Sequence, residues 1–227
     1  MKTKQVMAMV CGTMVWAGAA LAQPFDTNFT FDVNAGVPDG NVTGLTLATN
    51  LGGMAGNISS VTVSLDLSGG FNGDYYAYLR GPNGELAVLL NRVGVSNSAS
   101  QFGYGDGGMD VEFLDAAADS IQYYQNYTNP AGGTLFGAWQ PEGVTVDPLT
   151  NDPTAFFGAP QSATLALFDQ SDPNGEWTLF LADVAGGNQG TVVSWGLNIT
   201  TVPEPGTLAL AGFGVVVIAW RRRRKSK

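Results

Sequence analysis

With 227 residues, no histidine and a single cysteine, this chain lacks the side chains that most nucleophilic and zinc-dependent active sites require. These counts exclude Ser-His-Asp and Cys-His catalysis and any histidine-ligated zinc site. The formal net charge of −9 argues against nucleic acid and anionic lipid as partners, because both are polyanions.

The N-terminal segment predicts a cleaved secretory signal peptide over residues 1–22. Lys2 and Lys4 precede an apolar stretch at residues 6–21, and small residues end the segment. We therefore expect export through the secretion translocon. Because Cys11 lies inside this segment, the mature chain is expected to contain no thiol and no disulfide.

Residues 23–201 form the predicted domain, which has a normal size for one domain and is strongly acidic. Arg80 and Arg92 are its basic residues, and 2 bases against 18 acids give a formal charge of −16. Such a surface favours solubility outside the cell and supplies oxygen ligands for a hard cation such as Ca²⁺. An ordinary solvated acidic surface explains the same composition.

Short apolar–polar alternations separated by glycine-rich turns predict an all-β domain. Glycine accounts for 31 residues of the chain and clusters with Asn and Asp between the alternating runs. This strand length and turn spacing favour a β-sandwich of the jelly-roll type. A weak helical pattern is confined to residues 116–124. The segments that we interpret as strands are 58–67, 76–78, 86–93, 109–114, 163–168, 177–182 and 191–200.

The C-terminal segment, residues 202–227, has the composition of a sorting tail. A proline-containing motif ends the preceding strand, because proline has no N–H to donate. The uncharged stretch 206–220 would form a helix of roughly 22 Å, shorter than the roughly 30 Å hydrocarbon core. A basic cluster at 221–227 is expected to stay in the cytoplasm as a stop-transfer signal. The motif is Val202, Pro203, Glu204 and Pro205, and the basic cluster contains Arg221, Arg222, Arg223, Arg224 and Lys225.

This order of motif, hydrophobic segment and basic cluster resembles the PEP-CTERM sorting signal of Gram-negative bacteria. The resemblance covers residues 202–227 and implies recognition by an exosortase-type membrane enzyme. It also implies removal of the tail near the motif, followed by release or attachment at the cell surface. Family members tend to occur in bacteria that make extracellular polysaccharide. The alternative is an ordinary tail anchor with stop-transfer charges.

Two groups of segments between about residues 57 and 200 share a pattern with a known module. The first group is 60–67, 72–79 and 81–84, the second is 174–179, 182–183 and 190–197, and residues 109–117 and 133–136 lie between them. The pattern resembles the P domain, also called P/Homo B, a jelly-roll module found beside subtilisin-like catalytic domains. A serine endopeptidase label would be inherited from that neighbour, and we predict no enzymatic activity. Ser68, Gly69 and Gly70 depart from the convertase pattern, which often has threonine or histidine after the first long strand.

Asp74, Asp115 and Asp183 are the predicted metal ligands. Each lies at an end of a predicted strand, and the turns at one end of a jelly roll converge. The three carboxylates are therefore expected to share a Ca²⁺ ion with backbone carbonyl groups. In the alternative reading, Asp74 and Asp183 cap turns through hydrogen bonds from the backbone.

We favour a non-catalytic surface or matrix protein that binds extracellular polysaccharide or a surface protein. The alternative is a carboxylate-dependent hydrolase acting on extracellular polysaccharide, which would need two facing carboxylates. The glutamate candidates are Glu85, Glu112, Glu142 and Glu176, and no spacing singles out a pair.

The aromatic residues divide into predicted core residues and candidate sugar contacts. Trp177 and Trp195 lie in alternating strands and are expected in the core. The other rings occupy an irregular stretch, where they either stack on sugar faces or become buried under a folded loop; they are Tyr123, Tyr124, Tyr127, Trp139, Phe156 and Phe157.

Overall fold

The computed structural model describes residues 23–95, 102–149, 159–203 and 214. Several sequence predictions fall outside the described residues: the signal peptide, Phe156 and Phe157, and the sorting tail from Glu204 onward apart from residue 214. Within the described part of the chain, no helix has both the length and the apolar character needed to cross a membrane.

The described residues form nine β-strands and three short 3-10 helices. The strands are β1 (Phe25–Gly36), β2 (Asn41–Leu51), β3 (Asn57–Gly69), β4 (Tyr75–Arg80), β5 (Leu86–Asn91), β6 (Met109–Phe113), β7 (Leu135–Trp139), β8 (Gly175–Asp183) and β9 (Gly190–Val202). The 3-10 helices are Asn72–Asp74, Ile121–Asn126 and Leu165–Phe168. This composition confirms the all-β prediction.

The strands form two sheets around a shared apolar core. The five-stranded sheet has the order β1-β9-β3-β6-β7, and the four-stranded sheet has the order β2-β8-β4-β5. Neighbouring strands are antiparallel except for the parallel pair β6–β7. Buried side chains from both sheets belong to one hydrophobic cluster. The structure therefore has two sheets, as predicted, and the jelly-roll arrangement stays a prediction.

The core follows from the period-two alternation of β3 and from two buried tryptophans. Val63 and Leu65 point into the core and are fully or almost fully buried. Trp177 is 0% exposed and Trp195 is 2% exposed, which confirms both as core residues. The Trp177 indole N–H donates to the Pro173 carbonyl at 2.9 Å, so this large ring is buried without an unsatisfied donor.

The strand predicted at residues 163–168 is wrong, because this segment contains the 3-10 helix Leu165–Phe168. Leu165 and Phe168 are both buried, and their spacing of three residues fits a 3-10 turn. The backbone N–H groups of Leu165 and Ala166 donate to the Asp115 carboxylate, which satisfies the start of the turn. The helical pattern at 116–124 corresponds in part to the 3-10 helix Ile121–Asn126.

Candidate functional site

A groove of about 380 Å³ lies on the outer face of the five-stranded sheet. It crosses β1, β9, β3 and β6, whose outward residues alternate with the core residues. We call it the polar groove, because most of its lining side chains are amides, hydroxyls and a carboxylate: Asn28, Thr30, Thr62, Ser64, Glu112 and Asn198.

Two asparagine side chains lie side by side in the polar groove. Strand register places Asn198 of β9 between Asn28 of β1 and Thr62 of β3. The Asn198 side-chain nitrogen donates to the Asn28 side-chain oxygen at 2.6 Å. This hydrogen bond fixes both amides in one orientation, and each amide presents donors and acceptors.

Gly196 occupies the next position of β9 on the same face as Asn198, two residues away, between Thr30 and Ser64. A Cβ atom at Gly196 would lie 2.6 Å from the Phe29 carbonyl oxygen and 2.6 Å from the Ser64 hydroxyl oxygen. The absence of a side chain therefore allows the three strands to approach closely beneath the polar groove.

An acidic pair and an exposed ring continue the same outer face. Asp66 of β3 faces Asp110 of β6, and Asp110 in turn lies beside Phe136 of β7. Burial, and secondly the Asp110 charge, raise the pKa of Asp66. Phe136 is 64% exposed, although sequence analysis did not single it out. The signal available in the sequence was a single aromatic residue, Phe136. Its neighbours Leu135 and Gly137 do not extend a pattern of outward-facing side chains.

Asp74 and Asp183 lie close together, as their predicted positions at strand ends imply. Burial first and the Asp183 charge second raise the pKa of Asp74 to about 6, and the Arg92 charge opposes this shift. One Asp183 carboxylate oxygen accepts the Ala185 N–H at 3.2 Å. The other oxygen is buried and has no hydrogen-bond partner. Asp183 thus caps a turn, as the alternative reading expected.

Asp115 makes a different set of contacts. Its carboxylate oxygens accept the backbone N–H groups of Leu165 at 3.2 Å and Ala166 at 2.7 Å. Across residues 23–95, 102–149 and 159–203, no group of three or more His, Cys, Asp or Glu side chains is arranged to hold a metal ion. The three predicted carboxylates are thus not assembled around one ion in this structure, and calcium at Asp74 and Asp183 stays a prediction.

A second cavity, of about 220 Å³, is lined in part by Glu142. Glu142 is 1% exposed. One of its carboxyl oxygens accepts the Val144 N–H at 2.8 Å, whereas the other is buried and has no hydrogen-bond partner. Burial raises the pKa of Glu142 from its ordinary value of 4.5 to about 8, and the Val144 hydrogen bond offsets part of this shift. We call this the Glu142 cavity; its lining residues are Asp115, Ser120, Gln140, Pro141, Glu142, Gln161 and Thr164.

The four glutamates considered for hydrolysis lie in four different environments. Glu85 is exposed in the turn between β4 and β5, Glu112 is exposed on β6, and Glu176 is exposed on β8 of the other sheet. Glu142 alone among them is buried, and it shares a cavity with Asp115. Sequence reasoning did not separate Glu142 from the others, because the irregular segment around it has no periodicity.

The described aromatic residues of the irregular stretch do not form a single exposed row. Tyr124 is 0% exposed and Trp139 is 6% exposed, with ring centroids 6.2 Å apart. The Tyr124 hydroxyl donates to the buried Asp106 carboxylate at 2.7 Å. Tyr123 and Tyr127 are exposed. The loop therefore buries part of this set, and Tyr123 and Tyr127 are the surface rings among its described members.

The sorting tail begins where β9 ends. Val202 is the last residue of β9 and pairs with Asn57 of β3. Residues 201–224 match the family model described as the PEP-CTERM protein-sorting motif. The chain carries a PEP-CTERM sorting motif. Such signals are recognised by exosortase and mark proteins that are exported and sorted to the cell surface, so the predicted exosortase partner and surface destination are confirmed.

Solved structures similar to this chain include the serine protease of Aeromonas sobria. In complex with its chaperone, that protease has 15% sequence identity and a TM-score of 0.46, with 81% of this chain and 28% of that chain covered. The protease alone has 14% identity and a TM-score of 0.44, with 80% and 28% covered. This chain thus spans 28% of the length of either structure. No curated protein sequence matches the chain.

Proposed function

We propose that this PEP-CTERM protein is a non-catalytic surface module whose P-domain-like jelly roll binds extracellular polysaccharide through the polar groove. The observation that carries this proposal is the chemistry of the groove. Sugar hydroxyl groups both donate and accept hydrogen bonds, and the paired amides of Asn28 and Asn198 offer both kinds of group. Thr62, Ser64 and Glu112 add hydroxyl and carboxylate partners along the same face.

The charge of the domain narrows the class of polysaccharide. A formal charge of −16 over residues 23–202, from 2 bases and 18 acids, repels anionic polymers. Asp66 and Asp110 place part of this charge on the face that carries the groove. The exposed ring of Phe136 beside Asp110 supplies an apolar surface for the face of a sugar ring. The expected ligand is therefore a neutral polysaccharide of the producing cell.

Replacing both Asn28 and Asn198 with alanine should weaken polysaccharide binding about tenfold. Each lost hydrogen bond contributes roughly 0.5–1.5 kcal/mol, and about 1.4 kcal/mol corresponds to a factor of ten. The measurement is co-sedimentation of the purified full-length chain in mild detergent with extracellular polysaccharide from its host. Asn50→Ala is the matched control, because Asn50 is an exposed asparagine on β2 of the other sheet. Equal losses in the two variants, or unchanged binding by the double variant, would contradict the groove assignment. Wild-type protein that does not sediment would point to a protein partner.

The hydrolase alternative draws support from one observation, the buried Glu142 beside Asp115. A carboxylic acid with a pKa raised to about 8 can act as a general acid, and Asp115 would be its counterpart. We expect no release of reducing ends from host polysaccharide by the wild-type protein. Variants in which Glu85, Glu112, Glu142 or Glu176 is replaced by glutamine should then behave like wild type. Turnover that disappears in Glu142→Gln, with folding unchanged, would establish the hydrolase instead.

A further inference from the structure

We propose that the end of the domain where β9 meets the sorting motif is a docking surface for the exosortase-type enzyme. We call it the β9-end surface; it consists of Phe25 of β1, the loop at residues 52–56 and the last residues of β9. In this proposal the enzyme recognises the folded domain together with the motif, and not the tail alone. The inference concerns sorting and does not depend on polysaccharide binding.

The sorting motif begins inside the folded domain, with no linker between them. Val202 is the first residue of the motif and pairs with Asn57 of β3. Thr201, one residue earlier, is 1% exposed and pairs with Phe25 of β1 and Ile58 of β3. The motif therefore starts from a fixed position between two neighbouring strands.

The backbone of Gly56 packs against the bond between Val202 and Pro203. Gly56 has a φ of 86°, and a Cβ atom there would lie 2.5 Å from the Val202 carbonyl oxygen and 2.8 Å from the Pro203 nitrogen. Glycine allows this close approach because it has no side chain. Backbone packing as well as strand pairing thus fixes the point at which the tail leaves the domain.

An enzyme bound to the motif must contact the domain, because the two are so close along the chain. An extended chain spans at most about 3.6 Å per residue, so Pro205 lies within roughly 11 Å of Val202. A typical protein interface covers about 800 Å² on each partner, which corresponds to a patch roughly 16 Å in radius. An interface centred on residues 203–205 therefore overlaps the end of the domain.

Phe25 is an exposed ring at this end, on the side of β1 that faces the core. Period-two alternation gives it the same orientation as Phe29 and Phe31, which pack against the hydrophobic core. Phe25 itself is 66% exposed. Aromatic rings are enriched in protein interfaces, where they contribute much of the binding energy. An uncovered ring next to the motif is therefore suited to anchor a protein partner.

The loop at residues 52–56 adds an uncharged face beside the motif. Its sequence is Gly-Gly-Met-Ala-Gly. The Asn174 side-chain oxygen accepts the Met54 N–H at 3.0 Å, and the Asn174 side-chain nitrogen donates to the Met54 carbonyl at 2.9 Å. Gly52 and Gly53 are exposed. Because hydrogen bonds hold the centre of the loop, a partner that binds here orders little additional chain, which lowers the cost of association.

A protein fits the β9-end surface better than a phospholipid does. The formal charge of −16 over residues 23–202, from 2 bases and 18 acids, repels an anionic leaflet. Phe25, residues 52–56 and residues 201–203 include no lysine or arginine that would offset this repulsion. The exosortase-type enzyme recognises the adjoining motif, so it is the protein that this surface meets.

The first test measures tail processing of the full-length chain in cells that contain the exosortase-type enzyme. Phe25→Ser should slow conversion to the shortened form about fivefold, the effect of truncating an aromatic interface residue. Phe136→Ser is the matched control and should be processed at the wild-type rate. Phe136 is 64% exposed, almost the same as Phe25, but it lies on β7 at the opposite edge of the five-stranded sheet. The mass of the product checks that signal-peptide removal is unchanged.

The second test separates the motif from the domain. Insertion of Gly-Ser-Gly-Ser between Val202 and Pro203 should slow processing about threefold, because the domain and the motif are no longer held in one arrangement. The same insertion between Gly186 and Gly187, in the exposed turn at the opposite end of β9, should have no effect. A third readout is independent of cleavage: photo-crosslinking benzoylphenylalanine in place of Phe25 should capture the enzyme, whereas the same group in place of Phe136 should not.

Three outcomes would overturn the proposal. The first is wild-type processing of both Phe25→Ser and the insertion after Val202, which would mean that the tail is recognised alone. The second is faster processing after that insertion, because the domain would then obstruct the enzyme. The third is cross-linking from position 25 to lipid alone, which would place this surface on the membrane. Thermal unfolding checks that each variant folds, and replacing the exposed Phe25 leaves the buried core unchanged.

Discussion

In EDTA, raising the pH from 5 to 8 should lower the free energy of unfolding of the wild-type protein by up to about 4 kcal/mol through Glu142 alone. Burial raises the pKa of Glu142 from 4.5 to about 8, so the folded state holds this proton more tightly than the unfolded state. Above pH 4.5 ionisation lowers the free energy of the unfolded chain, whereas the folded chain still holds the proton. Stability therefore falls between pH 4.5 and pH 8 and levels off once the folded form has also ionised.

Glu142→Gln should remove this loss of stability, because its amide does not titrate. The measurement is urea-induced unfolding of both proteins at several pH values across this range. Asp74, whose pKa is raised to about 6, contributes a loss of the same sign, but it does so in both proteins. The difference between the two curves isolates Glu142. Glu176→Gln, an exposed control on β8, should retain the wild-type pH dependence, and parallel curves for wild type and Glu142→Gln would refute the expectation.

Deleting residues 204–227 should send the protein into the medium with no tail processing, an all-or-none change in location. The PEP-CTERM motif spans residues 201–224, and the deletion removes most of it together with the basic cluster. It spares Val202, which pairs with Asn57 and belongs to β9, so the domain should fold normally. Cell fractionation with immunoblotting measures the distribution between medium, membrane and surface.

A second variant tests whether the motif itself is required. Replacing Pro203, Glu204 and Pro205 with alanine leaves the hydrophobic segment and the basic cluster in place. This variant should accumulate at full length in the membrane, because exosortase no longer recognises it. Surface retention of the deletion variant at the wild-type level would rule out sorting through this tail.

Sequence reasoning succeeded where side-chain periodicity carries the information. The alternation of Val63 and Leu65 with polar neighbours predicted β3. Two long N-terminal strands were not singled out, although β1 alternates Phe29, Phe31 and Val33 with polar residues. Their weaker burial reflects the edge positions of β1 and β2 in the two sheets.

The candidate sites depend on contacts that no local pattern encodes. Asp115 was expected beside Asp74, but it caps the 3-10 helix Leu165–Phe168, which is about 50 residues further along the chain. Glu142 is shielded from solvent because three separate segments pack around it. The local sequence around Glu142, with a proline before it and a glycine after it, resembles that of any turn. The polar groove likewise exists only once β1, β9, β3 and β6 are neighbours, since no single strand contains more than a few of its residues.

The central position of β9 has a mechanical consequence. This strand hydrogen-bonds to β1 on one side and to β3 on the other, and it ends at Val202, the first residue of the sorting motif. A protein attached to the surface through the end of β9 would carry tension along this strand. The hydrogen bonds that join β9 to β1 and to β3 would then be loaded in shear, so that many of them must break together. The polar groove crosses the same strand at Asn198. A polymer held there would pull against the cell through β9 itself, without passing the force across the core between the sheets.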